Sequence, residues 1–166
     1  MINELHKQAA GLSDVEVLYL GDNKRRTVGR KRNDLVALAQ GQYVCFLDDD
    51  DRIAPDFVTK ILEQIDGTTD VVCYNVACTI DKSAPKTVYY SKDFFADKNY
   101  PGHYERLPNH LMVVRRELAR QVPFLDKSCG EDSDYAIRLQ PLLKTQKIIN
   151  EILYFYDFSH WTTETQ

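Results

Sequence analysis

Apolar positions along this chain fall into short β-branched runs separated by stretches of helical spacing, the alternation expected of an α/β fold. Residues 3–10 predict a short helix, with Asn3 as its cap and Gly11 as its stop. Val15-Glu-Val-Leu-Tyr-Leu20 predicts a buried strand that empties into the polar turn Gly21-Asp22-Asn23. Val28, Leu35, Leu38 and Ala39 then recur at helical spacing up to Gly41, and Tyr43-Val-Cys-Phe-Leu47 predicts the next strand. Strand, helix and strand in roughly 35 residues predict a βαβ unit with a right-handed crossover and a parallel sheet.

Pro55 pre-sets a second helix, whose apolar face is Phe57, Ile61, Leu62 and Ile65 and whose end is Gly67. Strands are expected at 70–75, 86–91 and 111–114, a loop at 99–110, and a helix over 116–122. The helix expected over 133–143 must kink or end at Pro141, and 147–156 supplies the last strand or strands. No repeat or linker interrupts the pattern, so residues 1–166 predict a single α/β domain with a mostly parallel sheet flanked by helices. Open sheets of this kind bind ligands beyond the carboxyl ends of their strands.

At one such end stand Asp48, Asp49, Asp50 and Asp51, four adjacent carboxylates after an apolar run. Their mutual repulsion is relieved either by a hard divalent cation with oxygen ligands or by solvation in a polar turn, with one aspartate capping the next helix. Neither the Gly and Glu spacing of a helix–loop–helix calcium site nor the DxDx[TV] pattern of an aspartate-nucleophile phosphatase is present. The net charge of −4 weighs against a generally basic, nucleic-acid-coating surface, although Lys24-Arg-Arg26 and Arg30-Lys-Arg32 leave a nucleic-acid substrate open as a minor alternative. The four cysteines lack CxxC spacing and are expected as buried free thiols. Without an apolar run of membrane-spanning length or an opening leader, the expected setting is the reducing cytoplasm.

The stretch Val28-Gly-Arg-Lys-Arg-Asn33, Ala39-Gln-Gly-Gln-Tyr-Val-Cys-Phe-Leu-Asp-Asp-Asp-Asp51, Ile53 and Pro55 resembles the family-two glycosyltransferases of the GT-A fold. That resemblance implies a nucleotide-diphosphate sugar donor, with UDP as the expected nucleotide and Mn2+ or Mg2+ as cofactor. It implies Asp50 as the direct metal ligand, Asp48 near the metal and the donor ribose with Asp49 beside it, and Arg32 and Asn33 at the nucleotide end; Asp51 is then expected to support the turn. Asp22 lies where a base-contacting acid is expected. Gly130-Glu-Asp-Ser-Asp-Tyr135 resembles the family's ED motif, making Asp132 the general base with Glu131 in support; read alone, these residues are an acidic helix start.

The aromatic strand Tyr154-Phe-Tyr156 followed by His160, Trp161 and Thr162 resembles the end of the family's catalytic domain. His160 is a candidate for the metal or diphosphate, and Trp161 either stacks on a sugar or covers the core. His103, Tyr104, Asn109 and His110 fall where the family shapes its acceptor site, with an ordinary loop role as the alternative. The family's opening strand has no counterpart here, so the expected sheet is N-terminally short of one central strand. An unpaired edge there raises homo-oligomerisation by strand addition. The leading expectation is a metal-dependent inverting glycosyltransferase, and the alternative is a non-catalytic nucleotide- or sugar-binding domain of the same fold.

Overall fold

The computed structural model of the chain describes residues 1–159. In chain order the elements are α1 (Ile2–Ala9), α2 (Val28–Leu38), β1 (Tyr43–Val44), β2 (Arg52–Ile53), α3 (Phe57–Leu62), β3 (Val71–Ile80), β4 (Lys86–Tyr90), β5 (Lys98–Asn99), β6 (His103–Arg106), β7 (Val113–Arg115), α4 (Arg116–Gln121), α5 (Glu131–Leu139) and β8 (Gln146–Phe158). A 3-10 turn at Gln140–Leu142 carries Pro141 and ends α5, as that residue requires.

β3 is the spine. Its run of Val, Cys and Tyr is apolar on both faces, which suits a strand covered on both sides, and Val71, Val72, Cys73 and Tyr74 are completely buried. β8 runs parallel to β3 from Val71↔Gln146 to Ile80↔Phe158, with a register shift between Tyr74 and Val76. On the other edge of β3, β7 pairs antiparallel with its first half and β4 antiparallel with its second. β1 extends the sheet beyond β7, β6 lies parallel to β4, β5 closes that edge antiparallel, and β2 pairs with β8. The α/β architecture with flanking helices is therefore as expected, but the sheet is mixed rather than mostly parallel.

The difference begins at Val15–Leu20. Among the described residues this segment joins no sheet; Val15, Val17 and Leu20 are half-buried, while Tyr19 is largely exposed. Its anchor is a side chain, since Glu16 Oε1 accepts from the backbone N–H groups of Gln40 and Gly41 at 2.6 Å each. The strand expected to partner it shortens to Tyr43–Val44 and pairs antiparallel with β7, so the βαβ unit does not form. A strand expected from apolar sequence needs a backbone partner to form, and the segment has none among the described residues.

Smaller differences follow local rules. The first helix starts one residue early, with Met1 rather than Asn3 at its cap. α3 stops at Leu62 and the chain then turns to Gly67, whose positive φ of 78° suits glycine. The 99–110 loop contains the short strands β5 and β6, and the C-terminal strand is one continuous element. All four cysteines are free; Cys73 and Cys78 are buried and Cys45 half-buried, but Cys129 is exposed, contrary to expectation, because it lies on the loop before α5. No helix among the described residues is long and apolar enough to cross a membrane.

Candidate active site

The acidic run occupies a tight turn after β1, closed by Asp51 N–H donating to the Asp48 carbonyl at 3.3 Å. β8 holds it from below. The Tyr154 hydroxyl donates to Asp51 Oδ2 at 2.7 Å and accepts from the Asp48 backbone N–H at 3.1 Å, while Asp157 N–H donates to Asp51 Oδ1 at 3.3 Å. Asp51 is buried, and burial pushes its carboxyl up to about 6 against the opposing hydrogen bonds from Tyr154 and Asp157. It supports the turn. Asp49 and Asp50 are exposed, and neither carboxylate has a hydrogen bond or ion pair among the described residues.

Asp48 is committed on both oxygens. Arg32 Nη2 lies 3.0 Å from Oδ1 and His110 Nε2 lies 3.3 Å from Oδ2. Burial alone would raise this carboxyl; the hydrogen bond and charge of His110 and the guanidinium of Arg32 outweigh it and hold it well below the usual carboxylate range. Arg32 is itself 7% exposed and spans to the second motif, with Nη1 2.6 Å from Glu131 Oε1. Its guanidinium packs over the rings of Phe46 and Phe124, 5.8 and 5.5 Å from their centroids. One buried cation therefore ties the acidic turn to the start of α5.

α5 opens after Gly130, which adopts a left-handed φ of 72°, and it places Glu131, Asp132 and Asp134 in its first turn, where the helix dipole favours negative charge. Glu131 is buried against Arg32. Asp132 instead lines an open cavity of about 350 Å³ that also includes Asp48, His110, Asn109 and Tyr156. The sequence motifs 80 residues apart thus meet on one cavity, whose walls come from β3, β4, β6, β8 and α5.

The loop before α5 is fastened along α2. The Asn33 amide donates to the Phe124 carbonyl at 2.9 Å and accepts from Phe124 N–H at 2.8 Å. Thr27 caps α2 by accepting from Arg30 N–H, and its hydroxyl donates to Asp126 Oδ1 at 2.6 Å. Gly29 N–H donates to the Lys127 carbonyl at 3.0 Å. Glycine is required there, since a Cβ would stand 1.9 Å from the Leu125 carbonyl oxygen. Both ends of the Asn33 amide thus serve this loop.

Asp22 lies apart from these groups in a small surface cavity with Arg25 and Arg26. Arg26 donates to its Oδ2 through the backbone N–H at 2.9 Å and the side-chain Nε at 3.1 Å, while Oδ1 is buried with no hydrogen-bond partner. Burial raises the Asp22 carboxyl, but Arg26 and Lys31 bring it below its ordinary value. His103 is on the outer edge, stacked on Tyr100 at 4.6 Å and away from the cavity lining. His160 and Trp161 lie outside the described residues. Tyr154 and Tyr156 belong to the aromatic strand singled out before the tail, and the structure gives them the turn and the cavity wall; Asp97 was not singled out, and no local signal marks it.

No group of three or more His, Cys, Asp or Glu side chains among the described residues is arranged as a metal cage. The open carboxylate of Asp50, with Asp49 beside it, does suit a hard cation that keeps waters and takes its other ligands from phosphate oxygens. The residues present fit Mg2+ or Mn2+ in that mode.

Solved structures share the fold. The crystal structure of S. aureus TarS 1-349 superposes with a TM-score of 0.63 at 17% identity, covering 94% of this chain and 46% of that one. The same TarS fragment in complex with UDP-GlcNAc gives 0.63 at 16% identity, covering 95% and 46%. The longer TarS structure gives 0.61 at 17%, covering 95% and 28%. The chain thus spans less than half the length of these structures. No curated protein matches it. The family model for glycosyl transferase family 2 matches residues 1–122, from α1 through α4 and across the acidic turn, and the chain belongs to that family.

Proposed function

We propose that the chain forms the catalytic core of a metal-dependent, inverting glycosyltransferase that uses a nucleotide-diphosphate sugar, with UDP as the nucleotide. The observation that carries this reading is the Arg32 strut, which joins Asp48 of the acidic turn to Glu131 and so holds Asp132 on the cavity that the turn borders. In this reading Asp50 holds the cation, which when bound neutralises charge on the departing diphosphate. Asp22 Oδ1, which has the Lys31 ammonium at 3.8 Å but no hydrogen bond, accepts an N–H of the nucleobase. Asp132 takes the proton of the acceptor hydroxyl as its oxygen bonds to the anomeric carbon, and the electron pair of the breaking C–O bond leaves with the diphosphate. With one base and no protein nucleophile, a single displacement inverts the anomeric configuration.

Titration calorimetry with UDP, with and without Mn2+, tests the binding half. Metal-dependent binding is expected; none at millimolar UDP would overturn the reading. UDP-sugar hydrolysis and transfer test the chemistry. Asp132→Asn is expected to lower transfer on the order of 10²- to 10⁴-fold, and transfer at the wild-type rate would remove Asp132 from the role of base. The second reading, a binding module without catalysis, is favoured by the unpaired Val15–Leu20 segment beside the nucleotide end. It predicts UDP binding with no donor turnover.

A further inference from the structure

The four aspartates of the acidic run are alike in chemistry, and a single oxygen atom on β8 makes them unequal. The Tyr154 hydroxyl accepts from the Asp48 N–H at 3.1 Å and donates to Asp51 Oδ2 at 2.7 Å, so both ends of the turn close on it. Asp49 and Asp50 form the exposed tip between those ends. β8 grips the outgoing limb residue by residue. Asp157 N–H donates to Asp51 Oδ1, Arg52 and Ile53 pair with Phe155 and Tyr154, and Ala54 N–H donates to the Leu153 carbonyl at 2.9 Å. The incoming limb is tied to the same strand by the Tyr154 hydroxyl.

That hydroxyl is suited to the double task. Tyr154 is completely buried, so its ring cannot swing aside. Burial and the charges of Asp48 and Asp51 push the phenol far above its ordinary value, and it stays a neutral group that donates and accepts at once. A phenylalanine would fill the same space and offer neither bond. Tyr74 on the neighbouring β3 is a natural counterpart. It is equally buried and its hydroxyl donates to the Leu111 carbonyl, with no hydrogen bond to residues 48–51.

We propose that Tyr154 is the positioning residue of the cation site: it fixes the backbone that carries Asp49 and Asp50 and withdraws Asp51 from the groups that meet the cation. The inference rests on the glycosyltransferase reading above, in which Asp50 holds that cation. Tyr154 itself touches neither cation nor sugar and acts through Asp48 and Asp51. Without the hydroxyl the tip must be ordered at the moment of binding, and that entropy is charged to the metal-linked step rather than to the nucleotide's own contacts.

Titration calorimetry of UDP on the full chain, with and without Mn2+ and alongside thermal unfolding, tests this role. Tyr154→Phe is expected to weaken Mn2+-dependent UDP affinity on the order of 10- to 100-fold, while affinity without metal stays at the wild-type value. Tyr74→Phe deletes an equally buried hydroxyl; it is expected to lower the unfolding midpoint as Tyr154→Phe does and to leave Mn2+-dependent affinity unchanged. Asp51→Ala removes the hydroxyl's acceptor and is expected to weaken the metal-linked affinity as well, with the double variant losing less than the sum of the two. It carries the test if Tyr154→Phe does not fold. Wild-type metal-linked affinity in either variant overturns the proposal, as do equal losses with and without Mn2+, or an equal loss in Tyr74→Phe. If the wild-type chain shows no Mn2+-dependent UDP binding, the glycosyltransferase reading falls and this proposal with it, a separate result read before any variant is compared.

Discussion

At the start of β3, Asp70 accepts from the backbone N–H groups of Lys144 at 2.7 Å and Thr145 at 3.0 Å, and Arg115 Nη2 pairs with its other oxygen at 2.7 Å. In the acidic turn, Asp48 and Asp51 are comparably committed, yet Asp49 and Asp50 between them have no partner among the described residues. The Asp70 region stitches β3 to the approach of β8 and engages both carboxylate oxygens. The acidic turn uses its outer two carboxylates to fix its shape and presents its inner two to solvent. Uncommitted acceptor capacity on a rigidly held backbone, rather than acidity itself, separates a binding site from an anchor.

Removing the strut attacks the comparison hardest. Arg32→Met leaves Glu131 buried without its cation and is expected to lower unfolding free energy by about 3–5 kcal/mol, read by chemical denaturation. A stability within error of wild type would mean that the turn and α5 are held independently. Asp50→Asn is expected to lower metal-dependent UDP affinity on the order of 100-fold while shifting stability by less than about 0.5 kcal/mol; a matching loss of stability would make Asp50 an anchor like Asp70.

Asp70→Asn is the converse, with a stability loss of about 2 kcal/mol and UDP affinity retained. Burial raises the Asp70 carboxyl, but the two backbone N–H groups and Arg115 outweigh it and depress it. Its stabilisation is therefore complete above the unfolded carboxylate pKa of about 3.9 and disappears as pH falls through the lower folded value. The acid limb of the stability profile should flatten in Asp70→Asn, and an unchanged limb would assign acid unfolding to other carboxylates. Glu16→Ala is expected to have the smallest effect, about 1 kcal/mol, because it frees only two N–H groups at an exposed site.

Much of the scaffold was legible because it follows local rules. The apolar run expected as a strand over 70–75, Pro141 closing α5 and the helical spacing from Val28 carry their structural consequences in their own side chains, although β3 continues to Ile80. Position along the chain also located the acidic turn and the Glu131-Asp132 pair. Pairing was less legible. Val15–Leu20 has the composition of a buried strand, but whether it enters a sheet depends on which backbone lies beside it, a long-range matter that composition does not contain. Within the acidic run, Asp51 was expected to support the turn and does so, but the partners that hold it were hidden for the same reason. Which aspartate is buried depends on Tyr154, 103 residues away in sequence, and the assignment of Asn33 to the loop at Phe124 depends on a contact across 91 residues.

Gly29 has a consequence for how variants of this chain should be read. It lies in α2, in contact with no acidic residue of the cavity, and glycine inside a helix costs about 1 kcal/mol relative to alanine. A helix-stabilising Gly29→Ala exchange would ordinarily be a first choice for hardening an enzyme. Here the added methyl drives into the Leu125 carbonyl and pushes on the loop that leads to Glu131 and Asp132. A mutation scored as an improvement by helix propensity would thus act as a remote misalignment of the start of α5, where the proposed base lies. Thermal screens and turnover screens of this position should rank the same substitution in different orders.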